Sequence, residues 1–426
     1  MSHRVVVTGM GILAPNGHGL EAYEAALRNG KSGIRKLPEL EELKFGCQVA
    51  GVPQHVDEIS ARYFTEEQLL SMNSGIRMAG VAAIDAWRDA GFEVPADDSD
   101  SVDWDTGAIV GTGIGGMDTI GERIVPLVNA GKVRRLGSTA VEQVMTSGVS
   151  ARVSGLLALG NQVTTNSSAC STGAEAILDS MYRIRSGLAK RMLAGGSEGI
   201  SPYIWSGFDA MRVLNRAHND EPERASRPMS ASAAGFIPGS GAGMLLVESL
   251  DSALERGAKI YAEIAGGAIN CGGHRMGGSM TAPNPVGVQR CIQAALVDAG
   301  VDGQEIDTIN GHLTATFADP HEIKNWAKAL SRTAQDFPLI NGTKSLTGHA
   351  LGAAGGLESV ACILQIYKGF VHASVNCEDL HEELLPFAQS IVQKTREVPD
   401  LKVLAKASFG FGDVNACIIF KKYDCN

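Results

Sequence analysis

A cysteine and two histidines stand out in the sequence because each lies at the end of a predicted element and each could serve nucleophilic catalysis. Cys170 lies in TTNSSACSTGAEAIL, between a β-branched run and a predicted helix. His312 follows a predicted strand in NGHLTAT, and His349 precedes a predicted helix in KSLTGHALGAAGG. A thiolate with groups that polarise or protonate a substrate is what this chemistry needs. Singly, each residue also fits a structural role, as a buried thiol or a core histidine.

The neighbours of Cys170 favour a reactive thiol. Residues 163–165 are β-branched and predict a strand, while the apolar residues from 174 to 181 recur at helical spacing. We expect Ser171 and Thr172 to cap this helix. The free N–H groups of a helix N-terminus carry partial positive charge, which lowers the pKa of a cysteine.

Further side chains of the right chemistry accompany the histidines. Thr314 and Thr316 alternate in sequence and offer two hydroxyls to one side. Lys344 opens a segment made otherwise of small residues and His349, which lets a substrate approach closely. Phe409 and Phe411 belong to SFGFG, a predicted loop between two closing strands.

Alternating strand and helix patterns must position these residues, which predicts an α/β fold with mostly parallel sheets. His312 would then lie at the carboxyl edge of a sheet, where ligands bind. Two halves, residues 1–258 and 259–426, show a similar order of elements. Residues 244–248 and 259–266 are predicted to form a strand pair, and the polar residues 217–238 to form a long surface loop.

The composition excludes several classes of protein. A formal net charge of −10 over 426 residues argues against a general nucleic-acid binder. The eight cysteines lack zinc-site spacing, so we expect no metal site and a reduced, cytoplasmic setting. The first residues do not resemble a signal peptide. No apolar run reaches the roughly 18 residues of a membrane span, and the longest candidate, 351–367, carries Glu358.

A possible dinucleotide fingerprint near the start does not hold. Gly9, Gly11 and Ala14 fit G-x-G-x-x-A. However, the turn-forming residues 15–17 follow, where the fingerprint needs a continuous helix, and no acidic residue ends a strand about 20 residues later. We therefore expect these glycines to form a tight loop instead.

The motifs together resemble those of the elongating β-ketoacyl-acyl carrier protein synthases (KAS I/II type), which have the thiolase fold. The resemblance runs from RVVVTGMGI to SFGFGDVNACIIF and depends on SSACSTGAEAI, GHLTAT, KSLTGHALGAAGG and SFGFG. It implies two similar βαβαβαββ halves in a five-layered α-β-α-β-α arrangement, with the nucleophile in the first half and both histidines in the second. Initiating synthases of this fold use Cys, His and Asn, so His349 favours the elongating class.

The resemblance implies a decarboxylative Claisen condensation of an acyl thioester with malonyl carrier protein, in fatty acid chain elongation. Cys170 would hold the acyl chain, and His312 and His349 would stabilise the enolate. The backbone N–H groups of Cys170 and Phe411 would form the oxyanion hole, with Phe411 also acting as a gate.

Supporting residues follow from the same resemblance. Lys344 would pair with an acid that matches Glu322. Ile114 would lie at the acyl pocket near a dimer interface, and the threonines would bind the phosphopantetheine arm. The substrate-binding residues that it implies are Thr314, Thr316, Ile114 and Phe409. No metal or redox cofactor is required, because the substrates are carried on the phosphopantetheine of acyl carrier protein.

The implied partners are acyl carrier protein and a second subunit, as a homodimer or as a heterodimer with a related chain. Carrier proteins are acidic, but residues 64–70 are acidic where family members are often basic. Lys132, Arg134 and Arg135 remain as a candidate docking cluster. The alternative for this cluster is a solvated loop.

Several positions depart from the family pattern. Leu313 and Asp413 stand where glycines are usual, Phe317 replaces a small residue, and the loop to Glu322 is one residue short. Residues 227–230, RPMS, lack the usual aspartate. These departures concern substrate preference and loop geometry, and they leave the Cys/His/His set intact.

Three alternatives remain. A degradative thiolase shares the fold but has a different cysteine pair and different motifs. A ketosynthase of a specialised polyketide or polyene pathway would keep every motif seen here. A non-catalytic chain-length-factor subunit would lack the nucleophile, whereas Cys170 is present.

Overall fold

A computed structural model describes residues 3–424 as fifteen strands and sixteen α-helices, with short 3₁₀ and π turns between them. The strands are β1 (Val5–Ala14), β2 (Gly17–His18), β3 (Ile34–Lys36), β4 (Val49–Gly51), β5 (Thr106–Gly111), β6 (Val163–Thr164), β7 (Arg191–Glu198), β8 (Gly241–Ser249), β9 (Ala262–Cys271), β10 (Thr308–Asn310), β11 (Leu339–Asn341), β12 (Phe370–Val371), β13 (Arg396–Glu397), β14 (Val403–Gly410) and β15 (Val414–Lys421). The helices are α1 (Leu20–Arg28), α2 (Pro38–Glu42), α3 (Val56–Ser60), α4 (Glu66–Leu69), α5 (Ser74–Asp89), α6 (Met117–Thr119), α7 (Val125–Asn129), α8 (Ala140–Val144), α9 (Gly148–Leu157), α10 (Thr172–Arg185), α11 (Pro202–Ala210), α12 (Leu250–Glu255), α13 (Pro285–Ala299), α14 (Asp319–Leu330), α15 (Lys344–Thr347) and α16 (Ala354–Lys368).

The main sheet repeats one pattern on either side of its centre. Its order is β11-β10-β14-β15-β9-β1-β8-β7-β5-β6, with β2 paired to β1. In one half β7, β5 and β6 are parallel, and in the other β14, β10 and β11 are parallel. The two similar halves are therefore present, while their division at residues 258 and 259 stays a prediction.

The predicted pair of strands at 244–248 and 259–266 is wrong. Strand β1 lies between β8 and β9 and pairs antiparallel with both. Helix α12 follows β8 directly and contacts both β8 and β1, and the segment that contains it connects β8 to β9 across β1. The two strands are neighbours in sequence but not in the sheet, because a central strand satisfies the backbone hydrogen bonds of both.

Helices cover both faces of the sheet and fill the space between its halves. Helices α10 and α16 contact each other and strands of both halves, so they form a central layer. Helices α5 and α9 pack on the outer face of the first half. Helix α13 packs on the outer face of the second half, and α14 packs against α13. This is the predicted α-β-α-β-α order, because each half-sheet is apolar on both faces and must be covered twice. Among residues 3–424, no helix is long and apolar enough to cross a membrane.

The glycines near the start lie inside a strand, so the expected tight loop is wrong. Strand β1 continues through Gly9 and Gly11, with an irregularity in its pairing with β8 between Val7 and Gly9, and turns only at residues 15–16. A Cβ at Gly9 would lie 2.2 Å from the carbonyl oxygen of Ala86, and one at Gly11 would lie 1.9 Å from that of Ala82. The glycines thus let α5 pack against the strand backbone, and no helix starts there to bind a pyrophosphate.

The segment at 217–238 is irregular, as predicted, apart from one 3₁₀ turn. It is not a surface loop throughout, because residues 225–230 are buried. The Ser226 hydroxyl donates to the carbonyl of Lys344, and the Met229 N–H donates to Asp319. The segment therefore packs against the second half, next to the histidine-bearing loops.

Candidate active site

Cys170 lies where the sequence predicts, at a sharp turn between β6 and α10. Residues Ala169–Ser171 form one 3₁₀ turn that leads directly into the helix, and Cys170 is 9% exposed. Ala169 has a φ of 48°, a left-handed conformation that is strained for alanine. Thr172 holds the turn closed by donating to the Ala169 carbonyl and accepting from the Ser168 N–H, both at 2.7 Å.

The predicted capping of α10 is wrong in detail. The Ser171 hydroxyl donates to the carbonyl of Val414 at 3.1 Å, and neither it nor Thr172 caps the helix start through its side chain. The polar residues after Cys170 therefore tie the nucleophile turn to itself and to β15.

Close packing of two glycine-rich helix starts brings the halves together at this site. A Cβ at Gly173 would lie 2.7 Å from the Gly356 amide nitrogen, and one at Gly355 would lie 2.3 Å from that of Ala174. Small residues at the crossing allow α10 and α16 to approach backbone to backbone. His349, a few residues before α16, is thereby placed with its Nε2 atom 3.1 Å from the Cys170 Sγ.

His312 lies at the carboxyl end of β10, as predicted, and faces the same point. Its ring centroid lies 5.3 Å from that of His349, with the rings nearly perpendicular. The Cys170 Sγ and one ring nitrogen of each histidine lie within 4.8 Å of one another. The structure thus brings together the three residues that the sequence singled out.

The partners of the Nδ1 atoms assign the tautomer of both rings. Lys344 Nζ, which can only donate, lies 3.3 Å from Nδ1 of His312. The Leu351 N–H donates to Nδ1 of His349 at 3.2 Å. Each Nδ1 is therefore an acceptor, and each neutral ring carries its hydrogen on Nε2, which faces the cavity.

Both histidines are held neutral. Burial, followed by the positive charge of Lys344, lowers the pKa of His312 and of His349 well below 6.5. Lys406 acts in the same direction on both rings. The two imidazoles are therefore uncharged hydrogen-bond donors at neutral pH.

The expected low pKa of Cys170 is not what the structure shows. Burial raises the pKa of the Cys170 thiol to about 11, although the Phe411 N–H and the charge of Lys344 act in the opposite direction. Loss of solvation outweighs the helix terminus because the thiol is almost fully enclosed. The thiol is therefore the resting form, and the surrounding donors serve the charge that develops during reaction.

The predicted partner of Lys344 is wrong. Lys344 Nζ forms its ion pair with Glu358 of α16 and donates to the His312 carbonyl at 2.7 Å. Glu322 instead accepts the N–H groups of His312 at 2.7 Å and Leu313 at 2.8 Å. Glu322 thus fixes the backbone of the histidine loop, and burial raises its pKa to about 7.

A cavity of about 500 Å³ leads to these residues. Cys170, both histidines, Thr314, Thr316, Glu322, Phe409 and Phe411 line it. The two threonine hydroxyls lie 3.0 Å apart. Ile114 does not line the cavity, because its side chain packs into an apolar cluster with Met117 and Phe208 and its N–H is bonded to Glu198.

The predicted docking cluster lies away from the cavity wall. Lys132, Arg134 and Arg135 are exposed around the 3₁₀ turn Val133–Leu136 and do not line the cavity. Two other exposed arginines are nearer to lining residues in sequence. Arg212 follows the lining residue Met211, and Arg275 lies two residues before Gly277.

The unusual residues have clear structural roles. Leu313 is fully buried with a φ of 26°, held by its bond to Glu322. Asp413, at a φ of 61°, accepts the N–H groups of His274 at 3.0 Å and Asn284 at 2.7 Å. It thereby ties the Phe411 loop to the segment 272–284, part of which lines the cavity.

Two more of these positions are also explained. Phe317 is 77% exposed at the edge of the cavity. Arg227 pairs with Asp379 at 2.8 Å, and the Ser230 hydroxyl bonds the same carboxylate. The RPMS segment has no aspartate of its own, and the carboxylate of Asp379, from a distant part of the chain, binds it instead.

Two functional candidates were missed from the sequence. Glu358 and Lys406 are buried behind the histidines, and Lys406 Nζ lies 2.8 Å from Glu358 Oε2. The signal was present for each, since a charged residue within the apolar runs 351–367 and 403–408 must be paired when buried. The sequence alone did not show that these two runs meet.

The spacing of Sγ and the two ring nitrogens would also suit a soft metal ion. However, Lys344 and Lys406 place two ammonium groups near them, against the carboxylate of Glu358 and that of Glu322, which is partly protonated because its pKa is raised to about 7. A buried positive excess disfavours a divalent cation. The absence of a metal requirement stays a prediction.

Known proteins resemble this chain along almost its whole length. Family models described as Beta-ketoacyl synthase, N-terminal domain and Beta-ketoacyl synthase, C-terminal domain match residues 2–253 and 261–378. A 3-oxoacyl-[acyl-carrier-protein] synthase 2 from Vibrio harveyi is 34% identical over 423 residues, which cover 98% of each chain.

Solved structures agree with this. A beta-ketoacyl synthase from Burkholderia phymatum has a TM-score of 0.89 at 29% identity, with 99% of this chain and 100% of that chain covered. The ketosynthase in a complex of a type II PKS acyl-carrier protein with its ketosynthase has a TM-score of 0.86 at 28% identity, with 99% and 100% covered. The fold, the assembled Cys/His/His site and the two family models lead to one conclusion: the chain belongs to the beta-ketoacyl synthase family.

Proposed function

We propose that the protein is a β-ketoacyl-acyl carrier protein synthase that condenses an acyl thioester with malonyl-acyl carrier protein in fatty acid chain elongation. The observation that carries the proposal is the convergence of one thiol and two neutral imidazoles within 4.8 Å at a cavity. Cys170, His312 and His349 are the proposed catalytic residues, and Lys344 supports them. No group other than the carrier's own phosphopantetheine is needed.

In the first step the Cys170 sulfur attacks the carbonyl carbon of the acyl thioester. The new C–S bond forms as the old one breaks, and the phosphopantetheine thiol leaves with the proton that Cys170 gives up. The Nε2–H of His349 and the backbone N–H of Phe411 face the sulfur and stabilise the negative charge on it. Their contribution offsets part of the cost of ionising a buried thiol.

In the second step malonyl carrier protein enters, and its thioester oxygen takes the place between the two Nε2–H groups. The bond to the carboxylate breaks, carbon dioxide leaves, and the electron pair forms an enolate. His312 and His349 donate to the enolate oxygen without giving up a proton, because burial and Lys344 keep both rings neutral. Pre-oriented donors of this kind typically contribute about 3 kcal/mol each.

In the third step the enolate carbon attacks the acyl-Cys170 carbonyl, the C–S bond breaks to release the lengthened chain, and the Cys170 thiolate takes up a proton from water. The oxygen of the tetrahedral intermediate would accept hydrogen bonds from the backbone N–H groups of Cys170 and Phe411. Thr314 and Thr316 are proposed to bind the phosphopantetheine arm, since both line the cavity. Phe409, whose ring centroid lies 6.3 Å from that of His312, is proposed to confine the substrate.

Mass spectrometry of the intact protein after incubation with acyl-loaded carriers tests the proposal. We expect one acyl adduct on Cys170, followed by its loss and carbon dioxide release when malonyl carrier is added. Cys170→Ala should abolish the adduct, whereas Cys271→Ala should keep it, although Cys271 is exposed and the more accessible thiol. Acylation of the Cys170→Ala protein would refute the assignment of the nucleophile.

A ketosynthase of a specialised polyketide or polyene pathway is the second candidate. Its support is the similarity to the ketosynthase bound to a type II PKS acyl-carrier protein. Carriers loaded with saturated acyl chains and with polyketide chains, offered in competition, distinguish the two functions. Preference for a saturated chain favours fatty acid elongation. A chain-length-factor role is disfavoured because Cys170 is present beside both histidines.

Acyl carrier protein is the proposed partner, and its docking residues are proposed at two places. The sequence suggests Lys132, Arg134 and Arg135, while proximity to lining residues suggests Arg212 and Arg275. We expect charge reversal at the true site to weaken carrier affinity at low salt. If Arg134→Glu/Arg135→Glu and Arg212→Glu/Arg275→Glu both bind the carrier as tightly as the native protein does, both assignments are contradicted.

A homodimer is proposed, with a heterodimer as the alternative. Strand β6 is the edge of the main sheet, and exposed edges are natural pairing sites. Exposed apolar residues occur nearby in sequence, including Val128, Val133 and Val141. Light scattering of the purified chain gives the mass. The proposed compartment is the cytoplasm, because a thiol nucleophile needs reducing surroundings.

A further inference from the structure

Lys406 is a second lysine buried beside the catalytic histidines, in addition to Lys344. Its side chain is fully buried on β14. Lys406 Nζ donates to the Ala407 carbonyl at 2.7 Å and to the Ser408 hydroxyl at 2.5 Å. It also lies 2.8 Å from Glu358 Oε2, while Lys344 occupies Oε1 of the same carboxylate. One buried glutamate therefore bridges two buried lysines.

This arrangement leaves one positive charge in excess. Glu358 alone would neutralise Lys344, and the charge of Lys344 would then act only weakly on His312. With Lys406 present, the carboxylate is shared, and one positive charge that Glu358 does not compensate remains behind both imidazoles. Such an excess is costly to bury, so a lysine that served structure alone would be better replaced by an apolar residue of similar volume.

We propose that Lys406 is an electrostatic positioning residue for the condensation: it offsets Glu358 so that Lys344 keeps both histidines as neutral donors and supports the enolate charge. The inference rests on the proposed ketosynthase function. Lys406 touches no reacting atom and acts by its charge, both directly on the two rings and through Glu358 and Lys344. It also anchors the strand that continues to Phe409 and Phe411, through its bonds to Ala407 and Ser408.

The groups that face the cluster are known for each neighbouring element. The charged partners are Glu358 of α16 and Lys344 of α15, and the imidazoles are His312, His349 and His372. Glu322 of α14 also interacts with Lys344, and burial raises its pKa to about 7. Burial raises the pKa values of Cys362, Cys417 and Tyr23, so these groups are uncharged at neutral pH. Glu322, which is about half protonated at neutral pH, therefore offsets the excess positive charge only in part.

NMR titration of the full-length protein, with ¹³C-labelled histidine rings, tests the proposal. Lys406→Met removes the charge while keeping an unbranched apolar stem. Because a positive neighbour disfavours imidazolium, its removal should raise the pKa of both His312 and His349 by about one pH unit, the order expected for one buried charge. His312→Asn and His349→Asn assign the signals. His55, an exposed histidine, serves as the internal control.

Activity provides the second measurement, with malonyl-loaded acyl carrier protein from Vibrio harveyi as the probe. Lys406→Met should lower the rate of carbon dioxide release about tenfold, whereas Lys406→Arg should retain most of it. Lys406→Met/Glu358→Gln, which restores one excess charge, should return the histidine pKa values toward those of the native protein. Lys406→Gln carries the same test if the methionine variant does not fold.

The outcomes separate the two hypotheses. If the native protein releases no carbon dioxide, the proposed function fails, while the histidine titrations still report on the charge effect. If the native protein is active but the pKa values and rate of Lys406→Met are unchanged, the role of Lys406 is refuted. Failure of the methionine, glutamine and double variants to fold would also refute it, since Lys406 would then be structural.

Discussion

Replacement of Glu322 by glutamine should impair decarboxylation far more than acylation. The carboxylate accepts two backbone N–H groups, from His312 at 2.7 Å and from Leu313 at 2.8 Å. A glutamine oxygen can accept only one of them, and its NH₂ group would face the other donor. A buried N–H without an acceptor costs about 1–3 kcal/mol. If the loop relieves this cost by moving His312, that energy corresponds to about a 5- to 150-fold slower step.

The effect of the same substitution on the stability of the folded protein should depend on pH. Burial raises the pKa of Glu322 from 4.5 to about 7, so its ionisation above pH 7 costs the folded protein about 3 kcal/mol. Because the folded pKa is the higher one, this stability is present below pH 4.5 and is lost as the pH rises to 7. Glutamine does not ionise. We expect Glu322→Gln to be less stable than the native protein at pH 5 and equally or more stable at pH 8.

Two assays separate these effects. Carbon dioxide release from malonyl carrier protein measures the step that needs His312, and mass spectrometry of the Cys170 adduct measures acylation. Urea denaturation at pH 5 and pH 8 gives the stabilities. Glu305→Gln is a matched control, because the exposed Glu305 also accepts a backbone N–H, from Asp302 at 2.7 Å.

An equal loss in both chemical steps would refute the reasoning, since it would indicate a general distortion of the site. Unchanged decarboxylation would refute it as well. A stability difference that does not depend on pH would show that Glu322 does not carry the raised pKa assigned to it.

Three further predictions concern the turn and the loops around the cavity. Gly173→Ala should destabilise the protein by about 1–3 kcal/mol, because the new Cβ would lie 2.7 Å from a backbone nitrogen. It should also weaken the contact between Cys170 and His349. Gly155→Ala is the control: nothing lies within 4 Å of its Cβ, so it should be neutral or stabilising in denaturation. Asp413→Asn should lose one of two backbone hydrogen bonds and lower kcat/KM for malonyl carrier with little change in acylation, and an unchanged kcat/KM would show that the tether is dispensable. Alkylation of Cys170 by iodoacetamide should accelerate steadily from pH 7 to pH 10, since burial raises its pKa to about 11; a plateau near pH 7 would contradict this, with exposed Cys271 as the reference thiol.

Much of the fold was predictable because its signals are local. Strand and helix periodicity indicated the α/β class, and the turn at Cys170 followed from a β-branched run and helical spacing after it. The order of strands was not predictable in the same way. Strand β1 lies between β8 and β9, although nearly the whole first half of the chain separates β1 from β8. Pairing over such distances depends on which faces must be buried, which no local window contains.

The sequence by itself determined the chemistry: one cysteine at a strand-to-helix turn, with histidines placed before or after elements far along the chain. Only the tertiary structure decided the charge states. The pKa of Cys170 is raised, not lowered, because the turn is enclosed. Lys344 pairs with Glu358, which lies on the central helix α16, and shares it with Lys406 from β14. Solvation and pairing depend on which residues the packed layers bring within a few ångströms of one another, and that is a property of the folded chain.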